Sequence, residues 1–487
     1  MPHLTHACAN LSEPVQAAAI TSRFGAPLVT DLDETLIRTD SLYEGILAAI
    51  SFNILNLFHL TKIRSRLALK EWAAQYARPE TFPINSEILK ILTEAKNAGR
   101  QVWLATASSK SIATCIAAKM AIFDGVIASE IDVNLKAEIK AKVLEEKFGK
   151  YGFDYIGDSM ADVPVWAVCR NAIVISSNPK VLEAAKKVNS NVTHIHSPTI
   201  SFNIIFRALR MQQWIKNLLV FIPMFLAHNV SLTNCILCCA AFFSLNFCAS
   251  GIYIINDLCD IPADRIHPIK KKRPFASGGM PIILGAMLIP ICLGISFGIS
   301  VFLPLNFTYC LLFYLICTIS YSLYFKKCLF IDVIMLAALY DLRLVSGAVV
   351  LSIPTSNWLL GFSSFLFCGL ALIKRIGDIQ IYKETNNISR RAYSFSDMPI
   401  ISGMAICAGF CSIVVMILYI DSLHAQSWYK NPEYLWIICP VIFWWYARLL
   451  ILSHRCEIED DPVSFSVRDK KSWLGAFICC AAFLLST

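Results

Sequence analysis

A soluble α/β domain followed by an all-α membrane bundle is the fold the sequence predicts, and three observations predict it. Up to about residue 200, short apolar strands alternate with charged amphipathic helices, the pattern of a parallel sheet covered by helices. From about residue 205, long apolar segments recur to the end. The whole chain is 56% hydrophobic, with a mean hydropathy of +0.57, which is too apolar for a soluble enzyme.

In the first domain, 1–200, three strands deliver chemically useful residues at their carboxyl ends, where parallel sheets place their sites. Residues 26–30 form a short buried strand that runs into Asp31, Leu32, Asp33, Glu34 and Thr35. Residues 101–105 deliver Thr106 and Ser108, and residues 153–156 end in Gly157, Asp158, Ser159, Met160, Ala161 and Asp162. The N-terminus lacks a basic region followed by an apolar core, so no cleavable signal peptide is expected and the domain is expected to stay in the cytoplasm.

The second domain, 205–487, holds about nine apolar segments: 217–228, 234–255, 282–301, 308–324, 331–353, 358–373, 400–420, 434–450 and 473–485, the first and last short for a span. The charges between them are one-sided. With the N-terminus inside, the inner loops hold Arg265, Lys270 to Arg273, Lys326, Lys327, Lys374, Arg375, Lys383, Arg390, Arg391, Arg455, Arg468, Lys470 and Lys471, and the outer loops hold only Lys430. An inner (cell) membrane protein with its polar clusters on the cytoplasmic side follows. The net charge of +8 is therefore assigned to the membrane surface, and nucleic acid is not an expected partner. The nineteen cysteines show no paired metal spacing and imply neither zinc nor a disulfide framework.

The second domain is organised around residues 250–278. Asp257, Asp260 and Asp264 fall at i, i+3 and i+7, one face of a helix, and are expected to hold Mg²⁺. Lys270, Lys271, Lys272 and Arg273 follow at once. Mg²⁺ is bound by one or two carboxylates plus ligand phosphate oxygens, and Lys and Arg supply counter-charge, so acid then base at a membrane surface suggests a phosphorylated ligand. Asp460 and Asp461 offer a further acidic turn, either a metal ligand pair or a solvated cap before Pro462.

The strand ends of the first domain resemble the motifs of the haloacid dehalogenase superfamily of phosphatases, all four in order. That resemblance implies a Rossmann-like sheet with a small helical cap, roughly 40–83, and Mg²⁺. It implies that Asp31 is the nucleophile, Asp33 the general acid/base and a member of the metal site, and Thr106 a ligand of the phosphoryl oxygens. Lys136, in Asn134-Leu135-Lys136, would neutralise the nucleophile and the phosphoryl group, with Lys140 as its alternative, and Asp158 with Asp162 would complete the metal site. The cap contains the uncharged run 45–60, short of the roughly 20 residues of a span. It is expected not to cross, and to pack within the cap or lie against the bilayer or the second domain.

Asn256, Asp257, Asp260 and Asp264 resemble the first motif of the UbiA superfamily of intramembrane prenyltransferases, and the resemblance covers the chain after residue 205. Four features look closest to the branch that acts on decaprenyl phosphate as 5-phosphoribosyltransferases: 213–217, His267-Pro268 with the basic run, Asp341-Leu342-Arg343 with Gly347, and Asp460-Asp461-Pro462. An aromatic prenyltransferase carries a second Asp-x-x-x-Asp; here Lys374, Arg375, Gly377, Asp378, Arg390, Arg391, Tyr393 and Asp397 form a mainly basic set. One Mg²⁺ cluster and one basic cluster suit phosphoribosyl pyrophosphate and a polyprenyl phosphate. By that reading Asn256 orients the ribose or metal shell, Lys270 and Arg273 take up developing negative charge, and Lys374 and Arg375 with Lys216 or Arg343 hold the lipid phosphate. The first domain would then remove the 5-phosphate. The alternatives are an aromatic prenyltransferase with an accessory phosphatase, and a transport or scaffold protein.

Overall fold

This computed structural model describes residues 25–487 apart from 54, 130–134, 198, 268, 386–392 and 459–460. Asn134, Pro268, Arg390, Arg391 and Asp460, all named above, lie outside the described residues. The chain forms two compact units, Met1–Ala208 with Ile254–Met287, and Leu209–Tyr253 with Leu288–Thr487.

The first unit is built on six parallel strands: β1 Leu28–Thr30, β2 Val102–Ser109, β3 Gly125–Ser129, β4 Asp154–Gly157, β5 Asn171–Ile175 and β6 Val192–Ile195. Their order is β3-β2-β1-β4-β5-β6. β1 is central because its three residues are fully buried and carry no charge, and apolar side chains cover both faces of the sheet. The order reverses between β1 and β4, and a crevice opens there beyond the carboxyl ends. Asp31 and Asp158 are the residues that emerge at that point. The expected cap is present as the helices Ser41–Phe52, Asn56–Leu60 and Arg66–Ala74. The uncharged run is broken at Asn53 and is not one span.

The second unit is helical. Among the described residues, seven helices are long and apolar enough to cross a membrane: Leu232–Cys259, Ile282–Ser300, Leu305–Leu323, Ile331–Val350, Asn357–Gln380, Phe395–Ile420 and Pro432–His454. Two of these, Leu232–Cys259 and Ile282–Ser300, extend into the first unit's residues. The first and last of the nine expected segments are shorter structures. One is a 3-10 helix, Met211–Phe221, running into the five-residue helix Ile222–Leu226, where Pro223 removes a backbone donor; the other is the 17-residue helix Lys470–Ser486. Met211–Phe221 lies tight against Ile331–Val350, because a Cβ on Gly347 would stand 2.1 Å from the Val220 carbonyl oxygen.

Candidate active sites

The turn after β1 sets the first site. Asp31 leaves the strand in extended backbone, and Glu34 takes the left-handed region (φ 55°), so the chain reverses and presents Asp31 and Asp33 to one cavity of about 260 Å³. The cavity is also lined by Asp40, Ser41, Lys70, Ser108, Lys140, Asp158 and Asp162. Lys140 Nζ donates to Asp31 Oδ2 at 2.9 Å, to the Tyr155 hydroxyl at 2.9 Å and to Asp162 Oδ1 at 3.4 Å. The Tyr155 hydroxyl donates in turn to Asp162 Oδ1 at 2.9 Å. Asp162 is drawn against the end of β4, where only glycine fits, since a Cβ on Gly157 would stand 2.8 Å from its carboxylate. Its other oxygen accepts the backbone N–H of Asp158 and Ser159.

Ligand atoms of Asp31, Asp158 and Asp162 lie within 4.8 Å of one another. Burial, opposed by Lys140 and reinforced by Asp162, pushes Asp31 above the usual carboxylate range. Burial and then the like charges of Asp162 and Asp31 push Asp158 well above it. Burial works against the charge on Lys140, but Asp31 and Asp162 outweigh it and hold the ammonium protonated. Three carboxylates around one ammonium leave an excess of negative charge among hard oxygen donors, and this set fits a divalent cation of the Mg²⁺ type. Asp33 is placed apart from that group. Its Oδ1 accepts the Ser41 backbone N–H at 2.8 Å, and burial with the neighbouring Asp40 pushes it up to about 7.

Residues 254–287 carry the second set of acids. The helix Leu232–Cys259 ends at Asp260, where Pro262 starts a new short helix, Ile261–Ile266. The three acids therefore do not share the face of one continuous helix. Arg273 Nη1 donates to Asp257 Oδ1 at 3.0 Å and to Asp264 Oδ2 at 2.6 Å, so one guanidinium joins two acids that the sequence assigns to a cation. Burial raises Asp264, Arg273 opposes this, and Asp257 adds to it. Asn256 and Asp260 are half-buried beside the pair, and Lys270 adds its charge to the surroundings of Asp264.

The polar interior of the second unit holds both cations and acids; Asp341, for one, accepts the hydroxyls of Ser363 and Ser364 at 2.5 and 2.6 Å. Lys216 is ion-paired with Asp461, whose Oδ2 also accepts the Tyr340 hydroxyl at 3.1 Å. Asp461 is buried, and although burial opposes its charge, Lys216 and Lys374 hold it well below the usual carboxylate range. Arg343 is buried and donates to Asn217 Oδ1 at 2.6 Å, to the Leu339 carbonyl at 2.5 Å and to the Tyr314 hydroxyl at 3.0 Å. Lys216 and Arg343 flank the Tyr340 ring at 5.9 and 4.9 Å. Among the described residues, Arg343 has no carboxylate in ion-pair contact and Lys374 has no hydrogen-bond or ion-pair partner at all. Arg375 is different. It is 1% exposed and closed in by Asp332 at 2.6 Å, Asp378 at 2.8 Å and the Tyr321 hydroxyl at 3.3 Å.

The sequence profile of the UbiA prenyltransferase family matches residues 218–483, over half of the chain. The chain belongs to that family. A profile described as haloacid dehalogenase-like hydrolase matches residues 53–166, so this is a UbiA-family transferase with a haloacid dehalogenase-like domain in front. An uncharacterized protein of Sinorhizobium fredii, y4nM, is 33% identical over 94% of this chain and 91% of its own length. The decaprenyl-phosphate phosphoribosyltransferase of Mycolicibacterium smegmatis is 31% identical over 39% of this chain and 61% of its own length. A solved structure of a UbiA homologue from Archaeoglobus fulgidus bound to GPP and Mg²⁺ is 17% identical, covers 57% of this chain and 99% of that one, and superposes with a TM-score of 0.43.

In this UbiA-family chain, the structure redistributes several expected roles. Lys140, and not Lys136, reaches Asp31, because the helix Glu138–Phe148 starts late enough to turn Lys140 inward in its first turn and leave Lys136 exposed on the preceding loop at the cavity mouth. Thr106 is buried within β2, where its hydroxyl accepts the Ser108 N–H at 3.0 Å, and Ser108 lines the cavity in its place. Arg375 is neutralised by carboxylates and Lys374 is not. Asp461 is neither a solvated turn nor a side-chain cap for the helix Pro462–Arg468, but the counter-ion of Lys216. Tyr155, Ser41 and Lys70 were not legible as site residues. Tyr155 reads as one more apolar strand position, and the other two sit in the cap, away from any strand end.

Proposed function

We propose that the protein transfers 5-phosphoribose from phosphoribosyl pyrophosphate to a polyprenyl phosphate, and that its first domain removes the 5-phosphate. The observation that carries this is the local set of Lys216, Arg343 and Lys374 around Asp461. Among the described residues, Asp461 is the carboxylate that all three share, and Asp378, already bonded to Arg375, adds only a weaker influence on Lys374. Buried cations without counter-ions are costly in a membrane protein and mark ligand sites. A phosphate monoester at neutral pH carries close to two negative charges and supplies what is missing. The similarity to a decaprenyl-phosphate phosphoribosyltransferase supports the same choice of acceptor.

In the transfer, an oxygen of the lipid phosphate, held by Lys374 and Arg343, attacks C1 of the ribose as the bond from C1 to the pyrophosphate oxygen breaks. Asp257, Asp260 and Asp264 would hold Mg²⁺, which when bound supplies counter-charge to the pyrophosphate. Arg273 then exchanges its carboxylate partners for the leaving group, with Lys270 beside it. Asn256 orients the ribose. In the first domain, Asp31 attacks the 5-phosphate and Asp33 protonates the departing alcohol, its carboxyl held in place by the Ser41 N–H; water, giving its proton to Asp33, then attacks the phosphorus, frees Asp31 and leaves inorganic phosphate. Lys140 screens the nucleophile from the phosphate, Ser108 offers a hydroxyl to its oxygens, and Asp158 and Asp162 complete the Mg²⁺ set. The one-sided basic loops support a cytoplasmic position for both sites at a cell membrane, with the shorter segments at 211–226 and 470–486 also crossing.

The test is purified full-length protein in nanodiscs with Mg²⁺, radiolabelled phosphoribosyl pyrophosphate and a polyprenyl phosphate. Label should enter the lipid phase with the wild type and not with Asp257→Asn, and with Asp31→Asn the labelled lipid should retain its 5-phosphate. Turnover of a prenyl diphosphate with an aromatic acceptor, and no label in lipid, would overturn the assignment.

A further inference from the structure

The cap of the first unit ends in an apolar tip. Phe52 is 80% exposed, Phe58 66%, Leu55 59% and Leu57 50%. Isolated apolar residues on a surface need no explanation, but four within seven positions at the junction of two short helices form a patch that water does not favour. Lys62 and Arg64 follow directly and are exposed. Large apolar side chains with basic residues beside them are the composition of an element that lies in a membrane interface.

The tip is also held at the right height. Ser51 Oγ donates to the carbonyl oxygen of Cys259 at 3.2 Å, and Cys259 is the last residue of the membrane-crossing helix Leu232–Cys259. The end of that helix, from Ile254, belongs to the same compact unit as the cap. A second contact fixes the cap helix there: Arg265 donates to both oxygens of Glu44, at 2.5 and 3.1 Å, with both side chains 5% exposed. The apolar tip is therefore tied to the point where a span leaves the bilayer.

We propose that Phe52, Leu55, Leu57 and Phe58 insert into the headgroup and upper acyl region of the bilayer, with Lys62 and Arg64 on anionic headgroups. The element lies in the interface and does not cross it, since the 12-residue helix Ser41–Phe52 is about 18 Å long against a hydrocarbon core of about 30 Å. This second anchorage holds the phosphatase-like cavity close to the lipid surface, and it stands independently of which lipid the second unit takes.

Full-length protein in nanodiscs containing a phospholipid with a diazirine in its acyl chain tests it by photolabelling and peptide mapping. Adducts are expected on residues 52–58 as well as on the spans, with a yield at the tip that rises when phosphatidylglycerol is added. Phe52→Asp with Phe58→Asp should lose the tip adducts and keep those on the spans, which report an intact fold. Lys62→Gln with Arg64→Gln should lose only the dependence on phosphatidylglycerol. Labelled spans with an unlabelled tip in the wild type would overturn the proposal, whether the tip is then covered by the same chain or by a second copy. Tip adducts that survive the two aspartates would overturn it too.

Discussion

The cavity beside β1 and the polar interior of the second unit solve one electrostatic problem with opposite signs. In the cavity, Asp31, Asp158 and Asp162 surround one lysine, Lys140, and the set is short of positive charge. In the second unit, Lys216 pairs with Asp461 and Arg343 and Lys374 feel its charge, so that among the described residues this local set is short of negative charge. Each lone counter-ion fixes geometry, and the imbalance it leaves is the one that the proposed ligands, a divalent cation in one place and a phosphate in the other, would fill. Arg375 shows the contrasting case, a buried guanidinium held by two carboxylates, Asp332 and Asp378, and closed by their hydrogen bonds.

Substitutions that change the imbalance should therefore act on turnover, and substitutions in clusters closed by their own hydrogen bonds on stability. The largest effect is expected for Asp31→Asn, a loss of phosphatase turnover on the order of 10⁴-fold with phosphoribosyl transfer retained. Lys140→Met should abolish phosphatase turnover as well and, because it strands buried carboxylates, destabilise the first unit by about 3–5 kcal/mol in denaturant unfolding. Arg375→Met is expected to cost a similar amount of stability. Lys374→Met should instead leave the fold intact and raise KM for the lipid phosphate about 10- to 100-fold, the worth of one charge-assisted contact. A Lys374→Met enzyme that unfolds while Arg375→Met only shifts KM would invert the comparison. Saturating Mg²⁺ should stabilise the protein against thermal unfolding, by about 2.7 kcal/mol per occupied site at a hundredfold excess over Kd, and Asp158→Asn should remove the share of the first domain's site. Lys136→Ala should change stability by no more than about 0.5 kcal/mol.

Strand ends were legible in the sequence because a buried apolar run followed by acids has one interpretation in a parallel sheet. Asp31, Asp158 and Asp162 emerge where that pattern puts them. Helix phase was less legible. Lys136 and Lys140 are four residues apart, and the choice between them depends on where a helix starts, which the loop before it decides. The three acids of the second set read as one helical face only if the helix continues, and Pro262 stops it from doing so. Long-range pairs left no signal at all. Asp332 is separated from Arg375 by 43 residues and Glu44 from Arg265 by 221, and nothing local marks either carboxylate as a partner.

The pairing of Glu44 with Arg265 belongs to a unit assembled from two separate stretches, Met1–Ala208 and Ile254–Met287. No single cut in the polypeptide releases that unit whole. A fragment ending near residue 208 would expose the Glu44 carboxylate without its guanidinium, and the remaining fragment would carry Asp257, Asp260 and Asp264 on a loop deprived of its packing partner. For anyone dissecting the two chemistries, point substitution is the sound tool and truncation the misleading one. The loop that carries Asp257, Asp260 and Asp264 is thus part of the first compact unit, and substitutions on either stretch of that unit report on both.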